Sequence, residues 1–221
     1  AARLMPGRAG ALKAGRAYPV ESGKIEGDQS YPSVAALNAK KLVVAWEDRR
    51  AGHTRIFSSA SRNGGARFAP PQQVNDATWR GQMGGFGRGT GVMRVALSPY
   101  GAGGAGGAVG VAAVWADKRD FLSGYDVYTA FTSGDQLSFG ANEKSQDDFG
   151  NEIAQWHPAI GADRQGRVVV AWDDDRDGAP DIWLAWRGAS GWSDNLAVPG
   201  ASGPGVQSDP SIALDAAGNL H

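Results

Sequence analysis

The chain has 221 residues, 42% of them apolar, with eight tryptophans and 33 glycines; that is enough apolar surface for a packed core and excludes a disordered chain. Its 22 Lys and Arg nearly cancel 23 Asp and Glu, for a formal net charge of −1, which argues against a nucleic-acid or anionic-membrane binder because both need a basic excess. There is no cysteine, so disulfide scaffolds, thiolate zinc sites and thiol catalysis are excluded together.

Residues 1–17 are basic, with Arg3, Arg8, Lys13 and Arg16 and no acidic residue, and read as a tail or as the remnant of a preceding structural unit. From residue 18 to 221 the chain repeats itself. The first unit, 30–76, predicts short strands at 33–37, 41–48, 55–61 and 72–74, because runs rich in Val, Ile, Trp and Phe are bounded by Gly, Asn and Asp. The second unit, 90–150, opens behind the string Gly84-Gly85-Phe86-Gly87-Arg88-Gly89-Thr90-Gly91 and carries a Gly/Ala-rich insert from Tyr100 to Gly110 where the other units have short turns. The third, 155–200, holds Val168-Val169-Val170-Ala171, the run of an inner strand buried on both faces. A partial unit, 206–221, contains Asp209-Pro210-Ser211-Ile212. No stretch keeps a helical period between its glycines and prolines, so no long helix is predicted. The longest strongly apolar stretch, Ala108 to Ala116, is far short of the ~20 residues of a spanning helix, and no membrane insertion is expected.

Trp46, Trp115 and Trp172 each follow an apolar run and open the pattern Trp-x-Asp-x-Arg. The flanks repeat as well: Pro32 stands 14 residues before Trp46 and Pro158 stands 14 before Trp172, while Ile56 and Ile182 each follow their tryptophan by 10. Four-stranded units repeated in tandem predict an all-β fold of antiparallel β-propeller blades, in which stacking buries both faces of each blade. A solenoid has shorter rungs, and a sandwich does not require such regular repetition. Tyr18-Pro19-Val20 resembles the closing strand of a preceding blade and Pro210 opens a fourth unit. The expectation is therefore about three complete blades plus partial ones, forming a piece of a six- to eight-bladed ring rather than a small four-bladed one.

After its third strand the first unit reads Ser61-Arg62-Asn63-Gly64-Gly65-Ala66-Arg67-Phe68; Ser133–Phe139 and Ala189–Ser193 hold the same place in the other two. These segments resemble degenerate copies of the Asp-box, Ser-x-Asp-x-Gly-x-Thr-Trp, of the sialidase-like (BNR repeat) propellers. The box has a structural role: a short polar side chain bonds turn amides, glycine takes a positive φ, and the terminal aromatic plugs into the blade. The resemblance implies an exported bacterial protein, extracellular or periplasmic. A catalytic sialidase of that family needs three arginines for the substrate carboxylate, a Tyr–Glu nucleophile pair and an Asp acid/base, and its Arg-Ile-Pro signature is absent here. The expected function is a non-catalytic propeller module that binds a glycan or protein partner or serves as a scaffold. The alternative is a fragment of a sialidase-like glycoside hydrolase whose catalytic residues lie largely outside this segment. Exposed sheet edges call for further blades or another chain to cover them.

Two patterns are candidates for chemistry. In a strand, the Trp, Asp and Arg of each triplet share one face, so Asp48/Arg50, Asp117/Arg119 and Asp174/Arg176 form either an anion site or, since they obey the repeat, links that cap strand ends and join blades. The second pattern is Asp173-Asp174-Asp175-Arg176-Asp177-Gly178-Ala179-Pro180-Asp181, whose Asp173, Asp175, Asp177 and Asp181 match the spacing of calcium loops. It has Leu184 where an EF-hand has its bidentate Glu, and a solvated acidic hairpin explains the same letters. No other cofactor is expected: the 84–91 glycine string lacks the βαβ context of a nucleotide site, and His53, His157 and His221 have no metal-ligand spacing.

Overall fold

The computed structural model describes residues 2–6, 12–21, 25–50, 52–76, 92–102, 107–119, 124–133, 137–147, 153–215 and 217–221. The 84–91 glycine string lies outside them. The described residues form sixteen strands and no helix, and therefore include no helix long and apolar enough to cross a membrane. Strands β1 (Ala2–Pro6) and β2 (Leu12–Ala17) pair as an antiparallel hairpin in the stretch expected to be a tail or remnant.

Three antiparallel sheets follow, one for each repeat. The first has the order β3 (Gln29–Ala36), β4 (Leu42–Asp48), β5 (Arg55–Ser61) and β6 (Gln72–Gln73). The second runs β7 (Val92–Tyr100), β8 (Gly110–Asp117), β9 (Asp126–Ser133) and β10 (Ser138–Phe139), with β11 (Glu143–Lys144) also pairing β9. The third repeats that plan with β12 (Gln155–Ala162), β13 (Val168–Asp174), β14 (Asp181–Gly188) and β15 (Gly191–Trp192), and β16 (Leu196–Ala197) also pairs β14. These sheets are propeller blades. Their first strands are the innermost, because β7 packs against both β3 and β12 across the blade boundaries.

The second strand of each blade is its core strand. Every residue of β8 and β13 is buried, as the unbroken apolar runs predict for a strand covered on both faces. Each tryptophan sits opposite an aromatic residue of the third strand: Trp46 pairs Phe57, Trp115 pairs Tyr128 and Trp172 pairs Trp183. The core lies between blades. Ala45, Ile56 and Val74 of the first meet Val95, Ala113 and Trp115 of the second, and Val114 and Val127 meet Ile160, Val170 and Trp172 of the third. Ile212 and Leu214 of the fourth unit cover Val169, Ala171, Ile182 and Leu184.

The Gly/Ala-rich insert ties the first-to-second-strand turns of three blades together. Its Gly101 N–H donates to Asp163 O and its Ala108 N–H to Leu37 O, both at 2.9 Å. Glycine is required at 107, where a Cβ would stand 2.6 Å from Leu37 O.

Candidate functional site

The Trp-x-Asp-x-Arg triplets fold into three copies of one clamp at the end of each core strand. Trp115 Nε1–H donates to Asp117 Oδ2 at 2.9 Å, the Arg119 backbone N–H donates to Oδ1 at 2.9 Å, and Arg119 Nη2 returns to Oδ2 at 2.7 Å. The first and third blades repeat the tryptophan and backbone bonds at Asp48 and Asp174. Each guanidinium then lies over the aromatic opposite the tryptophan: Arg50 over Phe57, Arg119 over Tyr128, Arg176 over Trp183. Each also reaches an acid at the close of the preceding blade, namely Glu21 at 2.6 Å, Asp76 at 2.8 Å and Asp147 at 3.3 Å. Glu21 thus takes the place of Asp76 and Asp147, beside the 18–20 segment expected to close a preceding blade. The triplets cap strand ends and link blades, with their charges consumed internally.

Burial alone would raise the Asp48 carboxyl, but the Arg50 side chain and N–H and the Trp46 indole outweigh it and hold Asp48 below its ordinary value. A carboxyl lowered in the folded state contributes stability above its unfolded pKa, about 4, and loses it as pH falls through the folded value. The melting midpoints of wild type and Asp48→Asn should therefore differ most at neutral pH and converge below about pH 4. A gap constant across that range would show that ionised Asp48 is not what the clamp holds.

A second constellation lies at the same end of the sheets, nearer the axis. Every inner strand has a bulge, between Ser30 and Ser33, Met93 and Ala96, and Trp156 and Ala159. Inside each bulge one residue is left-handed: Tyr31 (φ 48°), Arg94 (φ 59°) and His157 (φ 46°), with Asp209 (φ 56°) repeating the place in the fourth unit. Such a conformation costs about 1–3 kcal/mol for a non-glycine residue and concentrates at functional sites. The four meet in pairs across blade boundaries. Arg94 lies 5.1 Å from the centroid of the Tyr31 ring, and His157 Nδ1 is 3.7 Å from Asp209 Oδ1.

Buried acids fix these bulges. Glu47 Oε1 accepts the Arg94 N–H at 2.6 Å. Asp173 accepts the Asp209 N–H at 3.4 Å and pairs with His157 Nδ1 at 3.0 Å. In the middle blade the corresponding residue is Ala116. Burial pushes the Glu47 carboxyl up, against the Arg94 N–H and the Arg49 and Arg94 charges. Asp175 is raised by burial and then by Asp173 and Asp174, while Trp156 bonds to it; its buried Oδ1 has no hydrogen-bond partner among the described residues.

The four predicted calcium ligands have separate surroundings. Asp173 faces His157 and Asp209, Asp175 faces Trp156, Asp177 is exposed, and Asp181 Oδ1 accepts the Gly203 N–H at 2.8 Å. Among the described residues, no group of three or more His, Asp or Glu side chains is placed to hold a metal ion. The loop at 61–68 shows the turn chemistry predicted for it. Ser61 Oγ accepts the Gly65 N–H and Asn63 Oδ1 the Arg67 N–H, with Gly64 and Gly65 at positive φ. Phe139 and Trp192 of the sister loops pack onto the core clusters, whereas Phe68 is half-buried.

The architecture has counterparts among solved structures. The endo-arabinase of Bacteroides thetaiotaomicron matches 95% of this chain over 75% of its own length, with a TM-score of 0.53 and 14% identity. The α-L-arabinofuranosidase Arb93A of Fusarium graminearum matches 79% of this chain at a TM-score of 0.51 and 14% identity. The Hadza microbial sialidase Hz136 matches 74% at 0.50 and 17%. The fold is a β-propeller of the kind these glycosidases carry. The chain spans 50% of the arabinofuranosidase and 36% of the sialidase. No protein-family model and no curated protein matches the sequence.

The axial residues are what sequence reasoning missed. Tyr31-Pro32, His157-Pro158 and Asp209-Pro210 repeat visibly, but a residue before proline reads as extended backbone. The bulge that turns it left-handed is a product of strand pairing. Arg94 precedes Val95, so even that signal is missing in the second unit.

Proposed function

We propose that the chain is a glycan-binding propeller module that acts outside the cell and binds through the axial end of its inner strands. The observation that carries this reading is the row of four different side chains held left-handed at equivalent places in successive units, three on inner strands and Asp209 in the fourth unit. Repetition explains the bulges; it does not explain why their residues are an aromatic ring, a guanidinium, an imidazole and a carboxylate. Tyr31 is 55% exposed and offers a face for the C–H side of a sugar ring, while the other three suit its hydroxyls. The full chain is expected to bind immobilised sialyl or arabinosyl oligosaccharides, with Tyr31→Ala weakening the Kd at least about tenfold, or about 1.4 kcal/mol. Affinity unchanged in that variant would remove the axial site from consideration.

A glycoside hydrolase fragment is the second reading, and Asp175 favours it: burial pushes its carboxyl up, the direction in which a general acid is tuned. Turnover of a fluorogenic sialoside or arabinofuranoside, abolished by Asp175→Asn, would replace simple binding with catalysis. Calcium at residues 173–181 is a separate proposal, and it requires Asp173 to leave His157 and Asp181 to leave Gly203. A melting midpoint raised by calcium and returned by EDTA supports that site, and an unchanged midpoint removes it.

A further inference from the structure

We propose a second sugar site, a cleft between the second and third blades that takes one neutral sugar residue with adjacent hydroxyls. It rests on the glycan reading of the fold but not on the axial site. The cavity, of about 310 Å³ and bordered by Tyr100, Phe131, Glu143, Gly166 and Arg187, sits at the low end of ligand-pocket volumes. Val168, which lines it, begins β13, and Asp174 of the axial end closes that strand, about 20 Å away at about 3.3 Å per residue. The two sites are separate.

What marks the cleft is that it breaks the repeat. At the boundary between the first and second blades the corresponding residues are Leu37, Ala60, Gln72 and Thr132, by strand register. There Leu37 and Ala60 join Val43, Val111 and Leu137 in an apolar cluster with no charged pair. At the second boundary those places hold Tyr100, Phe131, Glu143 and Arg187, around open space. A blade junction needs only the first arrangement, so the second serves something else.

The chemistry of the four side chains selects the ligand. Arg187 Nε and Nη2 donate to Glu143 Oε2 and Oε1 at 2.8 and 2.9 Å, a two-bond fork that fixes both groups in one plane. Those bonds leave the Nη1 hydrogens and the remaining carboxylate lone pairs directed elsewhere, and the two side chains keep 38% and 34% of their surface exposed. The fork thus presents donors beside acceptors with no net charge, which suits adjacent sugar hydroxyls and gives an acidic sugar no gain. Beneath it, Arg187 lies 4.6 Å from the Phe131 centroid, and Tyr100 meets Phe131 edge-on at 5.6 Å. This is a preorganised apolar floor. Gly166 and the exposed Ala141 leave the mouth open.

The test is titration of the full chain with arabinotriose as the neutral probe and sialyllactose as the acidic one, using wild type, Arg187→Met, Ala141→Trp and Tyr31→Ala. Ala141→Trp fills the cleft mouth without touching the fork, and the melting midpoint of each variant verifies folding. Arabinotriose affinity should fall at least about tenfold (about 1.4 kcal/mol) in both cleft variants, with a residual neutral-sugar site in Tyr31→Ala. An arabinotriose isotherm unchanged from wild type in both cleft variants overturns the proposal. Loss confined to Tyr31→Ala overturns the cleft and leaves the axial site standing, whereas loss confined to the cleft variants does the reverse. A wild type that binds neither probe overturns both.

Discussion

Asp117→Ala is expected to lower the melting midpoint by about 6–12 °C. Asp117 is 2% exposed and accepts from Trp115 Nε1, the Arg119 N–H and Arg119 Nη2. Alanine leaves the buried Trp115 indole N–H and the part-buried Arg119 N–H without this partner and a guanidinium without its nearest counter-charge. Breaking a buried pair in this way costs about 3–5 kcal/mol. The lower figure applies here, because Arg119 keeps Asp76 at 2.8 Å and Asn142 at 2.8 Å. In a chain of this size each kcal/mol moves the midpoint by about 2–4 °C. Asp117→Asn keeps an acceptor oxygen but loses the charge, and should fall between wild type and alanine. Urea unfolding discriminates the cause: the midpoint should drop with the slope unchanged. A drop below about 1 kcal/mol would mean that the clamp is held by packing of Arg119 on Tyr128 rather than by the carboxylate.

The clamp and the axial site differ in how far they were legible. The tryptophans, the aspartates two residues on and the arginines two beyond that recur at fixed spacing, and period-two geometry places them on one face. Their structural role could be read from one consideration, that links between blades obey a repeat. The second partners could not. Glu21, Asp76 and Asp147 share no local motif, and only the stacking of blades brings each to an arginine 29 to 43 residues away in sequence and one blade away in space. The strands themselves were legible because a core strand buried on both faces reads as an unbroken apolar run, as at Val168–Ala171. The inner strands are half-exposed and bulged, so their alternation is broken at the residues that carry the site. The calcium spacing shows the opposite hazard. Asp173, Asp174 and Asp175 are adjacent in sequence, yet strand alternation sends the first to His157 and the second to Trp172 and Arg176.

Trp172→Ala is expected to cost about 3–5 kcal/mol, against a total stability of about 5–15 kcal/mol for a folded domain. Trp172 is fully buried and packs across the blade boundary among Val114, Val127 and Ile160, while Nε1 donates to Asp174 Oδ2 at 2.8 Å. Alanine therefore removes both a boundary contact and a clamp donor. Trp172→Phe separates the two: it retains most of the apolar contact and should lose only the hydrogen bond, about 1–2 kcal/mol. Stacked repeats contact only their neighbours, so a defect at one boundary leaves the next largely intact. Trp172→Ala should accordingly expose the second–third boundary to amide exchange well before the first–second, where Arg94 meets Tyr31. Binding at the neutral-sugar cleft should weaken with it, while the Tyr31–Arg94 half of the axial site persists. Equal loss of protection at both boundaries would instead show that the blades unfold as one cooperative unit, and that neither site can be altered without the other.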